Sequence, residues 1–175
     1  MPSEPGSARR IQLEIRSADP LTFDGDAIIV PTLSEGWMVE GVAARIKNLG
    51  GKVVEDEARC RAPIAVGAAV VTGAGSLAVR HVVHVPVAEH PGARVAVENI
   101  RRATRAGLLA ASHFQLERVA IPGIGYGETG VPYDEAARAM IDEIRAFRGA
   151  CPGFVVLMDT DAEMIASFED EVGSK

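Results

Sequence analysis

Segments with the pattern of strands alternate with segments of helical period along almost the whole chain. Ile11, Leu13 and Ile15 alternate with polar residues, as in a half-buried edge strand, whereas residues 27–30 are apolar throughout, as in a strand covered on both faces. Strands are predicted at 11–15, 27–30, 68–72, 80–87, 119–122 and 154–158, and helices at 39–49, 52–61, 95–114, 134–147 and 161–172. This order predicts an α/β fold, a three-layer α/β/α sandwich around a mixed, mostly parallel sheet.

The chain is long enough to form its own core. With 175 residues and 47% hydrophobic residues it needs neither disulfides nor metal to fold, and disorder is excluded. Residues 1–9, rich in Pro, Ser and Gly, are predicted to be a flexible N-terminal tail, and residues 10–173 a single domain. Cys60 and Cys151 have no metal-binding spacing, so we expect free thiols, no metal, no cofactor and a reducing, cytoplasmic location.

The charge balance limits the possible partners. A formal net charge of −6 argues against a broad basic surface for nucleic acid, because such binding neutralises many phosphates. No run approaches the roughly 20 apolar residues that span a bilayer, so no membrane association is expected. A small anionic ligand remains possible, since a few backbone amides can hold phosphates whatever the net charge.

One loop has the composition of a phosphate cradle. Residues 119–134 read VAIPGIGYGETGVPYD, an apolar strand followed by four glycines and a helix that begins near Pro132. Glycines allow positive φ and close approach of the backbone to a ligand, and a helix N-terminus offers unpaired N–H groups. The alternative is a glycine-rich turn needed only for tight packing.

Gly125, Gly127 and Gly130 also form a literal GxGxxG. A dinucleotide-binding fingerprint belongs to the first strand–helix unit and is followed after about 20 residues by an acidic side chain. Here the motif lies late in the chain, and the carboxylate that ends the next strand, Asp159, is farther away. No Gly-Lys-Ser/Thr sequence makes the loop a Walker A motif either. In α/β sheets ligands bind beyond the carboxyl ends of the strands, where this loop is predicted to lie.

Four segments in order resemble the macro domain, an α/β/α family that binds ADP-ribose. They are Asp19 with Asp26-Ala27-Ile28-Ile29, then Gly41-Val42-Ala43, then Gly67–Leu77 with Val82-Val83-His84, and finally Pro122–Pro132 with Glu135-Ala136-Ala137. The resemblance covers residues 11 to about 170.

The resemblance implies a ligand site. In the family, the residue that matches Asp19 accepts a hydrogen bond from the adenine amine, and the loop that matches 125–130 holds the diphosphate through backbone amides. The positions that match 41–43 lie beside the distal ribose and the phosphates. The predicted ligand-binding residues are Ala18, Asp19, Val30, Leu33, Gly41, Val42, Ala43, Gly123, Ile124, Gly125, Tyr126, Gly127, Glu128, Thr129, Gly130 and Met158.

Three departures from the family pattern bear on activity. Leu33 stands where the family has the asparagine that contacts the distal ribose, Glu40 stands in the first glycine run, and Tyr126 replaces a small residue of the second loop. We therefore predict binding of ADP-ribose or a related adenine nucleotide, free or on a modified protein, without efficient hydrolysis, and assign no catalytic residue. The alternatives are an ADP-ribosyl hydrolase or ADP-ribose 1''-phosphate phosphatase, and a degenerate fold that serves as an interaction module.

Other polar side chains are assigned structural positions. Glu55–Glu57 are predicted to be a solvated helix face, because consecutive helical residues point in different directions. His81 and His84 fall on opposite strand faces, which disfavours a shared metal site. Trp37 is interpreted as a lid or stacking residue, or as a cap on the core. A solvated basic stripe on the long helix is predicted for Arg101, Arg102 and Arg105.

Overall fold

The computed structural model describes residues 9–174, which form a six-stranded sheet and five helices. The strands are β1 Gln12–Ser17, β2 Ala27–Leu33, β3 Val70–Gly73, β4 His81–Ala88, β5 Arg118–Ile121 and β6 Phe154–Asp159. The helices are α1 Gly41–Gly50, α2 Lys52–Arg59, α3 Val97–His113, α4 Tyr133–Ala146 and α5 Ala162–Gly173, and a 3-10 turn spans Pro20–Thr22. Residues 1–8 of the predicted tail lie outside the described residues, so the division at 9–10 stays a prediction.

The strands lie in the order β1-β6-β5-β2-β4-β3. Every neighbouring pair is parallel except β3 and β4, which are antiparallel. The mixed, mostly parallel sheet confirms the predicted fold class, and β1 is an edge strand as its alternating pattern predicted. The carboxyl ends of the five parallel strands therefore share one side of the sheet.

Two hydrophobic clusters cover the two faces of the sheet. Because successive strand residues point to opposite faces, Ile29 of β2 packs with the α3, α4 and α5 cluster, whereas Ile28 and Val30 pack with the α1 and α2 cluster. Central strands covered on both sides explain why residues 27–30 and 155–158 are uniformly buried.

Strand β2 continues past the predicted end at residue 30 and contains a proline. Its pairing with β5 covers only Ala27 and Ile28, while its pairing with β4 continues to Leu33 with a register shift after Thr32. Pro31 lacks an N–H and is therefore tolerated where β2 has no ladder on its β5 side. The departure of β2 from β5 opens a gap at the carboxyl ends of the two strands.

The predicted solvated face at Glu55–Glu57 is wrong for Glu55 and Glu57, whereas Asp56 is exposed. Glu55 is only 2% exposed, and the Glu57 carboxylate accepts a hydrogen bond from the backbone N–H of Gly73 at 3.0 Å. Arg61, just after α2, donates to the carbonyl of Val71 at 2.9 Å, so two side chains satisfy the outer backbone edge of β3. Local spacing could not predict this, because the backbone partners Val71 and Gly73 lie on a strand ten and sixteen residues farther along the chain.

The basic stripe on α3 is paired rather than free. Arg105 forms two hydrogen bonds of 2.9 Å with Glu143 on α4, and Arg101 reaches Asp142 at 3.3 Å. Surface ion pairs of this kind contribute about 0–1 kcal/mol each.

Candidate functional site

A cavity of about 240 Å³ lies where β2 separates from β5. It is bounded by the end of β2, the loop into α1, the end of β4 and the glycine loop after β5. Its lining consists of Pro31, Thr32, Leu33, Trp37, Val39, Glu40, Gly41, Val42, Ala43, Val87, Val95, Gly123, Gly125, Tyr126, Thr129 and Gly130. The cavity thus occupies the position at which open α/β sheets bind ligands.

The glycine loop makes a tight turn along one side of this cavity. Gly125 has φ +73° and Gly127 has φ +121°, and the N–H of Val131 donates to the Gly125 carbonyl at 3.0 Å. A Cβ on Gly130 would lie 2.0 Å from that same carbonyl oxygen, so the turn closes only around a glycine. Among residues 9–174, no acceptor pairs with the backbone N–H groups of residues 126, 128 and 129. These N–H groups are available to an anion.

The N-terminus of α1 borders the same cavity. Gly41 has φ +58°, and the first hydrogen bond of the helix runs from the N–H of Ala44 to the carbonyl of Glu40. The N–H groups of residues 41–43 therefore precede the helical ladder, and the Glu40 side chain does not cap them. All three residues line the cavity, so a second set of donors borders the cavity opposite the glycine loop.

Asp159, at the end of β6, fixes the glycine loop. Its carboxylate accepts hydrogen bonds from the N–H groups of Gly123 at 3.0 Å and Asp161 at 2.9 Å, and the Tyr126 hydroxyl donates to it at 3.3 Å. Burial, reinforced by the charge of Asp159, raises the pKa of Tyr126, so this hydroxyl remains a hydrogen-bond donor well into the alkaline range. The Tyr126 ring also packs against Tyr133 with centroids 5.1 Å apart, which makes it a fixed wall of the cavity.

The loop between β2 and α1 is held from below by α2. The buried Glu55 carboxylate accepts from the N–H of Met38 at 2.8 Å and from Lys47 Nζ at 3.1 Å. The Arg59 guanidinium stacks on the Trp37 indole, 3.4 Å from the ring centroid, while the tryptophan stays 38% exposed. These contacts place Trp37 at the rim of the cavity rather than in the core.

Asp19 lies at the edge of the sheet that β1 forms. It follows β1, and its carboxylate caps the 3-10 turn by accepting from the N–H of Leu21 at 3.0 Å. Arg45 of α1 binds both carboxylate oxygens, one of them at 3.0 Å. The hydrogen bond from Arg45 holds the pKa of Asp19 below its usual value. The ion pair joins the end of β1 to the helix whose N-terminus borders the cavity.

The structure brings most of the predicted ligand-binding residues together. Those lining the cavity are Leu33, Gly41, Val42, Ala43, Gly123, Gly125, Tyr126, Thr129 and Gly130. Gly127 and Glu128 are exposed on the outer part of the loop. Ala18 and Asp19 both lie outside the cavity lining. Fully or nearly fully buried in the core are Val30, Ile124 and Met158.

Several lining residues were not predicted from the sequence. Val87 lies near the end of β4 and reaches the site because β4 is the neighbour of β2, and Val95 lies just before α3. The strand order would have indicated Val87, since parallel neighbours end at the same edge. Thr32 also lines the cavity, and its Oγ1 is buried with no hydrogen-bond partner in the described chain.

The site offers donors for binding but few groups for catalysis. Glu40 is the one carboxylate in the lining, Tyr126 is its other ionisable side chain, and neither Cys60 nor Cys151 reaches it. Residues 9–174 contain no group of three or more His, Cys, Asp or Glu placed to hold a metal ion. Within the same range no helix has the length and apolar character that crossing a membrane requires.

Comparisons with known proteins agree with this architecture. The chain is 47% identical over 150 residues to an uncharacterized protein of Aquifex aeolicus, covering 86% of this chain and 91% of that one. A mutant macrodomain of Oceanobacillus iheyensis with ADPR superposes with a TM-score of 0.83 at 16% identity, covering 97% and 96% of the two chains. The Trypanosoma brucei macrodomain in complex with ADP gives 0.80 at 22% identity, covering 94% and 70%. The macro domain profile matches residues 31–140, and the chain therefore belongs to the macro domain family.

Proposed function

We propose that the cavity binds ADP-ribose or a related adenine nucleotide, free or attached to a protein, and does not hydrolyse it efficiently. The observation that carries this proposal is the pair of donor sets that border one cavity, the N–H groups of residues 126 and 129 on one side and those of residues 41–43 on the other. Oriented N–H groups and a helix N-terminus bind phosphates without a basic side chain, which suits a chain of net charge −6. The solved macrodomains with ADP and ADPR support the same class of ligand.

The order of the strands gives the ligand a direction. Asp19 follows β1 at one edge of the sheet, the glycine loop follows β5 near the middle, and Leu33 ends β2. In the proposed complex the adenine lies at Asp19, the diphosphate lies between the glycine loop and α1, and the distal ribose lies near Leu33. A carboxylate held by Arg45 keeps lone pairs for the adenine amine, since a carboxylate accepts about four hydrogen bonds.

The lining residues do not favour hydrolysis. A general base within hydrogen-bond reach speeds the attack of water by about 10²- to 10⁴-fold, and leucine at position 33 offers neither a donor nor an acceptor. The Tyr126 hydroxyl already donates a hydrogen bond to Asp159, so Glu40 is the only ionisable side chain of the lining without a partner among residues 9–174. For this reason we propose a binding module rather than an efficient enzyme.

Calorimetric titration with ADP-ribose tests the binding function. We expect micromolar affinity in the unmodified chain and a loss of about tenfold or more in the Asp19→Ala variant, because a hydrogen bond to a charged acceptor is worth about 1.5–3 kcal/mol. Asp24→Ala removes the same charge from an exposed position outside the cavity and serves as the control. No heat at millimolar ADP-ribose would refute the proposal.

The absence of efficient hydrolysis needs a separate assay. Release of ADP-ribose from an ADP-ribosylated protein is followed by mass spectrometry with and without the chain. We expect the two time courses to coincide within a few-fold. A release many times faster with the chain present would contradict the binding-module assignment and support the hydrolase.

A further inference from the structure

At the ends of β2 and β4 the cavity combines apolar side chains with an aromatic ring and a carboxylate. Leu33, Val39 and Val87 give it an apolar wall, and Trp37 and Glu40 stand at its rim. We propose that this end is a subsite for a planar cationic group bonded to C1'' of the distal ribose. Two ligands carry such a group, NAD⁺ with its pyridinium ring and ADP-ribosylated arginine with its guanidinium. The inference rests on the proposed function, because it requires the distal ribose to lie near β2.

The position of this subsite follows from the strand order. A ligand with its adenine at β1 and its diphosphate at the β5 loop points its distal ribose toward β2 and β4, beyond which only the antiparallel β3 remains. The loop carrying Trp37 and Glu40 leaves the end of β2. Any group attached to the ribose at C1'' therefore extends toward these two side chains.

Trp37 is prepared to stack with a planar group. The Arg59 guanidinium lies 3.4 Å from the centroid of the indole ring, and Glu55 anchors the adjacent N–H of Met38, so the ring is held before any ligand arrives. Arg59 itself is not part of the cavity lining, whereas 38% of the tryptophan remains exposed at the rim. Because Arg59 already covers one face of the ring, only the exposed part of the indole can receive the cation of the ligand, and tryptophan is the best side chain for such a contact.

Glu40 supplies the matching charge. Its side chain is exposed, makes no hydrogen bond or ion pair with any residue in 9–174, and does not cap α1. Beside a diphosphate an unpaired carboxylate repels the ligand, and a cation bound at the same rim offsets this repulsion. A pyridinium or a guanidinium provides that cation, whereas the hydroxyl of free ADP-ribose provides none.

The experiment compares ligands that differ in this group. In the first arm NAD⁺ is titrated against NADH, whose nicotinamide ring is uncharged. In the second arm a peptide ADP-ribosylated on arginine is titrated against the same peptide ADP-ribosylated on serine. Each arm is repeated with Trp37→Leu, with Glu40→Gln, and with Glu35→Gln, which removes the same charge from an exposed residue of the same loop outside the cavity lining.

We expect the cationic ligand of at least one arm to bind about threefold or more tightly than its neutral counterpart, as a cation–aromatic contact allows. The preference is expected to fall below twofold in Trp37→Leu and Glu40→Gln and to persist in Glu35→Gln. The arm that shows the preference identifies the source of the cation.

Two results overturn the inference. One is equal affinity for cationic and neutral ligands in both arms, and the other is a preference that Trp37→Leu and Glu40→Gln leave unchanged. If ADP-ribose binds in either case, the proposed function stands and only this subsite is refuted. If ADP-ribose itself does not bind, the proposed function fails with it. Circular dichroism of each variant shows that its fold is retained.

Discussion

A methyl group at Gly41 tests whether α1 helps to hold the phosphates. Gly41 has φ +58° and lines the cavity, and a Cβ there would meet no atom within 4 Å. Gly92 makes a matched control, since it has φ +77°, equally open space, and a position outside the cavity lining. Alanine in the left-handed region costs about 1–2 kcal/mol. Both Gly41→Ala and Gly92→Ala should therefore lower Tm by about 2–8 °C in a chain of this size.

Only the first variant should lose affinity. The added methyl group occupies the space in front of the N–H groups of residues 41–43, and each lost hydrogen bond to a phosphate is worth about 1.5–3 kcal/mol. The Kd for ADP-ribose should rise about tenfold to a hundredfold in Gly41→Ala, as measured by calorimetric titration. In Gly92→Ala it should stay within twofold of the original value.

The comparison separates backbone strain from ligand contact. Unchanged affinity in Gly41→Ala would refute the placement of the diphosphate at the N-terminus of α1. An equal loss of affinity in both variants would show instead that the effect comes from reduced stability. Differential scanning calorimetry of the two variants without ligand provides the stability difference needed for this judgement.

Three further predictions concern stability and loop position. Burial lowers the pKa of His84 to about 4, so on acidification this side chain takes up a proton in the unfolded chain at a higher pH than in the folded chain. The free energy of unfolding should therefore fall by about 3 kcal/mol as the pH drops from 6.5 toward 4. Urea titrations of His84→Gln should lack this decrease, and an identical decrease in that variant would contradict the prediction. In Arg45→Ala the pKa of Asp19 should rise toward its usual value in an NMR titration, with less stability lost on acidification, because a depressed carboxyl pKa stabilises only above that pKa. Glu55→Ala leaves a buried N–H unpaired at a cost of about 1–3 kcal/mol and should shift the emission of Trp37, the single tryptophan, to the red; an unchanged spectrum would mean that Glu55 does not hold the loop.

The order of apolar patterns was sufficient for the fold because each pattern is local. Alternation at 11–15 marked the edge strand, and the uniform run at 27–30 marked a central one, since each reflects how many faces of the strand are covered. The ends of the strands were predicted less accurately than their presence. β2 runs on through Pro31 because its loss of the β5 partner removes the need for an N–H there, and no local signal indicates which ladder ends first.

The site was predictable where the backbone acts and not where distant side chains act. The glycines of residues 123–130 marked their loop because a positive φ and a close approach both require glycine. The roles of Asp159 and Glu55 were missed, since each depends on a contact with another element. Val87 was missed for a related reason, because the pairing of β4 with β2 brings it to the cavity.

The covered outer edge of β3 limits how far the sheet can grow. In an antiparallel ladder alternate residues present their N–H and C=O groups outward, and on β3 the groups of Val71 and Gly73 do so. The carbonyl of Val71 already accepts a hydrogen bond from Arg61, and the N–H of Gly73 already donates one to Glu57. A strand from a second molecule would have to displace both charged side chains before it could pair. The side chains from α2 and the residues just after it therefore disfavour the pairing of a further strand with this edge of the sheet.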